Sequence, residues 1–406
     1  MKANSSGLPL DGLRVLDLTR LIPGAVCTSI LGDAGAEVIK VEEPATGDYE
    51  RQIHPFTGSV ASRFLLLNRN KKSLSVNLKR EEGRRYFLRI ADSSDILVES
   101  FRPGTMAKLG IDYASLVERN SRLIYCSISA FGQEGPYRDV VAHDINILGM
   151  TGVLDITGAR EGPPVIPGIQ IADSVAGMYA VMGILLSVIG RGKQGRGRFI
   201  DISMFDCAMG LIFDAARYHF AGAEVPARGS GRLWGGFPNY AIYETKDGKY
   251  ITIGSLESKF KRILLKKFHR ENLLDGENGA TSTQPASSDV ELHHFFRKTF
   301  LSKTRDEWIR EFSEDNICIG PVNSVEEALI HPAAIYRKMI MDLVHPSAGK
   351  YKQIGTPLKS TRILANPDRL PAPRLGEHTR ELLAELGCSK GEIDSLIGSG
   401  VIFEDL

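Results

Sequence analysis

His143 and Asp144 stand side by side in the run VVAHDINILGMTG, residues 140–152, whose apolar pattern reads as buried. Asp173 interrupts GIQIADSVAGMYAVMG, and Glu257 follows an apolar run in ITIGSLESKF. An imidazole and three carboxylates are groups that hold or move protons near neutral pH. Each also has a plain structural reading. His143 is a satisfied core histidine, Asp144 caps a helix beginning at Ile145, and Asp173 and Glu257 cap the helices they precede. For Asp173 the two readings are compatible. A helix N-terminus favours the ionised carboxylate and also stabilises a nearby oxyanion.

Three further stretches carry charge or backbone freedom. RNKKSLSVNL (69–78) clusters Arg69, Lys71 and Lys72 before a strand, either as a solvated basic edge or as a phosphate site. RGKQGRGRFID (191–201) offers turn glycines and cations that face water. RLWGGFPNY (232–240) sets Gly235 and Gly236 among aromatics, as a mobile loop or a domain junction.

The elements that must position these groups alternate. LRVLDLT (13–19), a helical stretch through GAVCTSILGDAGA, and EVIKVEEP make a β-α-β unit. SLSVNL, ILVESF and LIYCSISAFG read as further strands with helices between them, so the fold class expected is α/β with a doubly wound, mainly parallel sheet. NYAIYETKDGKYITIGS is a hairpin turning at Asp247-Gly248. DGENGATSTQPASSD (275–289) reads as a mobile surface loop, and the tail as two short helices. The expected organisation is a large α/β domain over 1–224, a small α+β domain over 225–330, and a return to the large domain over 331–406. A dinucleotide site is disfavoured, because RLIPGAVCTS has one glycine where the fingerprint loop needs three.

Composition narrows the class. The chain has 406 residues, 43% hydrophobic and 24% charged, with 50 basic against 49 acidic side chains. That balance argues against nucleic acid as a partner. Five scattered cysteines argue against disulfides and a structural metal. The start lacks an apolar signal core, and VAGMYAVMGILLSVIG is slightly short for a membrane span. A cytoplasmic protein with no membrane partner is the expectation.

Taken in order, GAVCTSILGDAGAEVIKVEEP, NRNKKSLSVNL, DILVESFRPGTMAKLGI, RLIYCSISAFGQEGPY, AHDINILGMTGVL, IADSVAGM, GSLESKF and CIGPVNSVEEAL resemble the family III CoA-transferases. The resemblance covers nearly the whole chain and is nearest to the α-methylacyl-CoA racemase branch. It implies a CoA thioester as substrate, no metal, no permanently bound cofactor, and an interlocked, ring-like homodimer or a heteromer with a paralogue.

In the racemase branch, the resemblance makes Asp173 and His143 two proton carriers, with Glu257 and Asp144 in support. They invert the α-carbon of a 2-methyl-branched acyl-CoA. In the transferase branch Asp173 is instead a nucleophile that forms a mixed anhydride and releases CoA thiolate. The presence of His143 with Asp173 and Glu257 favours the racemase; CoA transfer between carboxylic acids is the alternative. For CoA the resemblance carries over Lys72, Ser75, Val76, Glu99, Ser100, Phe101 and Arg102. One departure stands out. Glu43 occupies a position where many members place an arginine against the nucleotide, and Lys40, Arg69 and Lys71 are the cations offered in compensation.

Overall fold

The computed structural model describes residues 7–274, 287–359 and 369–405. Most of the polar stretch 275–289 lies outside the described residues. The chain divides into two units, one of residues 1–147, 170–210 and 332–406, the other of residues 148–169 and 211–331.

The first unit is built on a seven-stranded sheet. From edge to edge its strands are Ile402–Phe403, Lys71–Val76, Glu37–Glu42, Arg14–Leu18, Ile96–Glu99, Ile124–Ser129 and Phe199–Ser203. All neighbours are parallel except the first pair, where Ile402 and Phe403 run antiparallel to Val76 and Ser75. The inner strands are near-continuous apolar runs, as both faces of a parallel sheet are covered. Strand order reverses between Arg14–Leu18 and Ile96–Glu99, and such a switch opens a crevice at the carboxyl ends of the strands. The α/β, doubly wound expectation holds.

Polar side chains are buried at this sheet too. Asp17 is enclosed, contacting Lys71 Nζ at 3.1 Å and accepting from Thr28 Oγ1 at 2.7 Å. Lys40, equally enclosed, pairs with Asp48 at 2.7 Å. Burial alone would push the Asp17 carboxyl up, but Lys40 and Lys71 outweigh it and hold the group well below the usual carboxylate range. Arg69 pairs with Asp33 through Nε at 2.9 Å and a second, shorter contact. Arg69 and Lys71 are therefore no solvated edge, being drawn inward by carboxylates distant in sequence. Lys72 is instead partly exposed, between Glu37 and Glu381.

The helix Ile171–Gln194 is, by length and composition, apolar enough to cross a membrane. Here one face, including Ala172, Ala176, Ala180 and Ile184, is buried within the unit. Gly177 lets the helix Leu21–Asp33 approach, since a Cβ there would lie 2.5 Å from the carbonyl oxygen of Pro23. Its other face leaves Met178, Met182, Leu186 and Ile189 exposed.

The second unit holds a three-stranded antiparallel sheet of Tyr240–Glu244, Tyr250–Gly254 and Ile319–Pro321. The hairpin at Asp247-Gly248 forms as the sequence suggests, with Gly248 at φ +71°. Tyr243, Phe268, Phe296, Phe300, Trp308 and Phe312 make its aromatic core. The boundary differs from the expected residue 225 in that residues 148–169 and 211–224 belong here. The backbone explains the first segment, because a Cβ on Gly229 would lie 2.6 Å from the amide nitrogen of Arg160.

Candidate active site

Asp173 is not an N-cap. The helix begins at Ile171 after Gln170, and Asp173 sits in its first turn with its side chain half-buried. The cap comes from elsewhere. Asp144, in the first turn of the helix Asp144–Met150, accepts the backbone N–H of Asp173 through Oδ1 at 3.1 Å. Two carboxylates are thus held close, one as an acceptor and the other as a neighbour. Burial, then the Asp144 charge, push the Asp173 carboxyl up to about 7. Arg63 works in the opposite direction, and Glu50 adds to the rise.

Those last two residues escaped the sequence reading. Arg63 pairs with the buried Glu50 at 3.3 Å, and Glu50 Oε2 is buried without a hydrogen bond. Neither lies in a recognisable motif. Their signal is spatial: the charges of Arg63 and Glu50 act on Asp173 in opposite directions.

His143 is exposed rather than a core residue. Its backbone N–H donates to Asn146 Oδ1 at 3.0 Å, and its carbonyl receives the amides of Asn146 and Ile147. Among the described residues its ring makes no hydrogen bond. Glu257 lies in the second unit, exposed at the N-cap position of the helix Ser258–Lys267, but its side chain makes no capping bond.

The first unit also contains a cleft of ≈ 420 Å³ at the carboxyl ends of the strands, beside the switch in strand order. Of the positions carried over for CoA, Val76 and Phe101 line it. Lys72 does not; its ammonium is shared by Glu37 and Glu381, each at 2.8 Å. Ser75 Oγ is buried without a partner. Ser100 Oγ accepts the Arg20 backbone N–H at 3.0 Å, fixing the turn into the cleft. Glu99 and Arg102 line a different cavity, of ≈ 320 Å³. Burial pushes the Glu99 carboxyl up to about 7, although it accepts from Ser127 Oγ and the Phe101 N–H.

Lys40, Arg69 and Lys71 do not compensate for Glu43, since each is spent on a buried partner. The cations that line the cleft are Arg20, Lys79 and Lys108. Glu43 itself holds Lys79 at 2.9 Å and Arg20 at 3.6 Å. Arg20 in turn lies over the rings of Tyr49 and Phe101, at 5.0 and 5.4 Å. A cleft of aromatic faces and two displaceable cations suits a nucleotide: stacking for the base and charge for phosphate.

The family model for CoA-transferase family III matches residues 10–379. The chain is 33% identical over 396 residues to the succinyl-CoA:glutarate CoA-transferase of Mus musculus, covering 97% of this chain and 90% of that one. It is 34% identical over 398 residues to the α-methylacyl-CoA racemase of the same species, covering 98% of each. A crystal structure of a CAIB/BAIF family protein from Brucella suis superposes with a TM-score of 0.80 at 31% identity, over 93% of this chain and 99% of that one.

Proposed function

Because the chain belongs to CoA-transferase family III and is a CoA-thioester enzyme, we propose that it moves CoA between two carboxylic acids, with Asp173 as the nucleophile. The observation that carries this reading is the pairing of a half-buried Asp173 carboxyl with an exposed His143 whose ring makes no hydrogen bond among the described residues.

The chemistry needs only what the first unit supplies. The Asp173 carboxylate attacks the thioester carbonyl carbon, the C–S bond breaks, and CoA leaves as thiolate with the electron pair. The thiolate then attacks the aspartyl carbonyl of the mixed anhydride and releases the donor acid. The acceptor carboxylate attacks the resulting aspartyl thioester, expelling thiolate again. Attack of that thiolate on the acceptor's carbonyl yields the new thioester and restores Asp173. No proton moves in this cycle, so no general base is required. Inversion of an α-carbon instead needs a proton carrier on each face, which gives the racemase reading less support here.

Each residue has a task in this scheme. Asp144 holds the first turn of the Asp173 helix in place. Arg63 attracts the acid carboxylate that must approach an otherwise acidic neighbourhood. The cleft beside Glu43 takes the nucleotide end of CoA. A homodimer belongs to the same proposal, and the exposed stripe Met178, Met182, Leu186 and Ile189 is the surface that supports it.

The decisive experiment incubates the protein in D₂O with succinyl-CoA and glutarate, and separately with a 2-methylacyl-CoA. Glutaryl-CoA formed without α-deuterium is the expected result. Deuterium gain in the 2-methylacyl-CoA without any transfer would restore the racemase.

A further inference from the structure

The second unit holds a cavity of ≈ 1140 Å³ that none of the chemistry above uses. Arg160, His293, His294 and Arg297 line it, and among the described residues no aspartate or glutamate does. Arg297 makes no salt bridge or hydrogen bond among the described residues. The carboxylate nearest Arg160 is that of Glu161, at 3.8 Å and almost wholly in solvent. Asp289, the carboxylate that acts on His293, is already paired with Lys261 at 3.6 Å.

His293 Nε2 faces the Gly235 carbonyl oxygen at 3.2 Å, and its Nδ1 faces the Tyr243 hydroxyl at 3.1 Å. That hydroxyl donates its own proton to the Pro238 carbonyl at 2.7 Å. Both ring nitrogens are thus engaged within the unit. Burial, followed by the Arg297 charge, lowers the His293 pKa and favours its neutral ring. Among the described residues, no carboxylate on the cavity wall balances Arg160 and Arg297.

The rest of the wall is apolar or backbone, with Leu233, Trp234 and Ile253 beside Gly235 and Gly236. Gly236 has to be glycine, since a Cβ would lie 1.9 Å from the Ser230 carbonyl oxygen. Pockets for ligands with a sizeable apolar body run from about 300 to 1,000 Å³, so this one exceeds what a short acid fills.

We propose that this cavity binds a carboxylic acid with an extended apolar body, its carboxylate held by Arg297 with His294. The proposal goes beyond the transfer reading and does not depend on which reaction Asp173 performs.

Trp234 lines the cavity, whereas the only other tryptophan, Trp308, is buried in the aromatic core. Fluorescence of the full chain is titrated with glutarate, suberate and sebacate, with Trp234→Phe as the control for signal origin. Affinity is expected to rise along that series by about fourfold for each methylene buried. Arg297→Gln is expected to weaken sebacate roughly tenfold or more, and His294→Gln to weaken it less. Equal affinity along the series, a response that survives Trp234→Phe, or binding indifferent to Arg297→Gln overturns the proposal. Transfer activity measured on the same samples keeps the two readings apart. Transfer with a flat titration removes only the cavity's role, and chain-length-dependent binding without transfer removes only the Asp173 reading.

Discussion

The Asp144 carboxylate accepts the backbone N–H of Asp173 at 3.1 Å, so a residue of one helix caps the helix that presents Asp173. The same contact places a second negative charge beside Asp173. It therefore anchors the proposed nucleophile while disfavouring its ionised form.

That relationship has a signature in pH. A carboxyl raised to about 7 is protonated below neutrality, and the nucleophile must be ionised. The kcat/KM of transfer is expected to climb as pH rises through about 7. Asp144→Asn removes the repelling charge and keeps an acceptor, moving this acid limb to lower pH; a limb that stays put disproves the electrostatic role. Stability has the opposite dependence. A raised carboxyl stabilises the fold below its unfolded value, and that contribution is lost as pH rises towards 7.

The side chains of Asp173 and His143 separate the two chemistries. Asp173→Asn is expected to abolish transfer, while His143→Ala retains activity to within about tenfold. A fall of 10² or more for His143→Ala, the cost of losing a positioned acid–base group, would contradict the proton-free cycle. Steady-state transfer kinetics decide it.

In the cleft proposed for CoA, Glu43 holds the two cations, Lys79 and Arg20, that phosphate would need. Its pairs are half-exposed, a class worth about 0.2–1 kcal/mol each. Glu43→Gln is expected to lower the KM for the CoA thioester by about two- to fivefold at low salt, and by less at high salt. An unchanged or higher KM would mean that Glu43 contacts the ligand itself.

Asp17 and Lys71 are buried together, so removing one partner strands the other. Asp17→Asn is expected to cost about 3–5 kcal/mol in urea unfolding. The double change Asp17→Leu with Lys71→Met is expected to restore much of that loss. A double variant no better than the single one would place the stability in the hydrogen bonds from Thr19 and Thr28.

The exposed stripe on the helix Ile171–Gln194 is expected to be covered in solution. Leu186 is 70% exposed in the single chain. Leu186→Glu should convert a dimer into a monomer in light scattering after gel filtration; a monomeric parent protein would end the argument.

The parallel sheet was legible because its strands are continuous β-rich runs such as EVIKVE, and their alternation with helices leaves few topologies. The strand Ile402–Phe403 was not, since two residues show no period. Burial of Lys40 and Lys71 was hidden for another reason. Charge in a strand reads as solvent, and only the folded chain brings Asp48 and Asp17 to them. At the site, residue types were legible and relationships were not. Asp173 and Asp144 were found as separate helix caps, whereas one caps the other's helix. Arg63 and Glu50 belong to no motif, and their role rests on charge acting through space.

The division of the chain has a consequence for biosynthesis. The second unit's residues 211–331 leave the ribosome before residues 332–406, which the first unit needs. At roughly 5–20 residues per second, the inserted unit has several seconds to close its aromatic core. Meanwhile the strand Lys71–Val76 still lacks its neighbour Ile402–Phe403 and shows an open edge. That interval is when a nascent chain would misassociate, and when a chaperone shielding that edge would matter most.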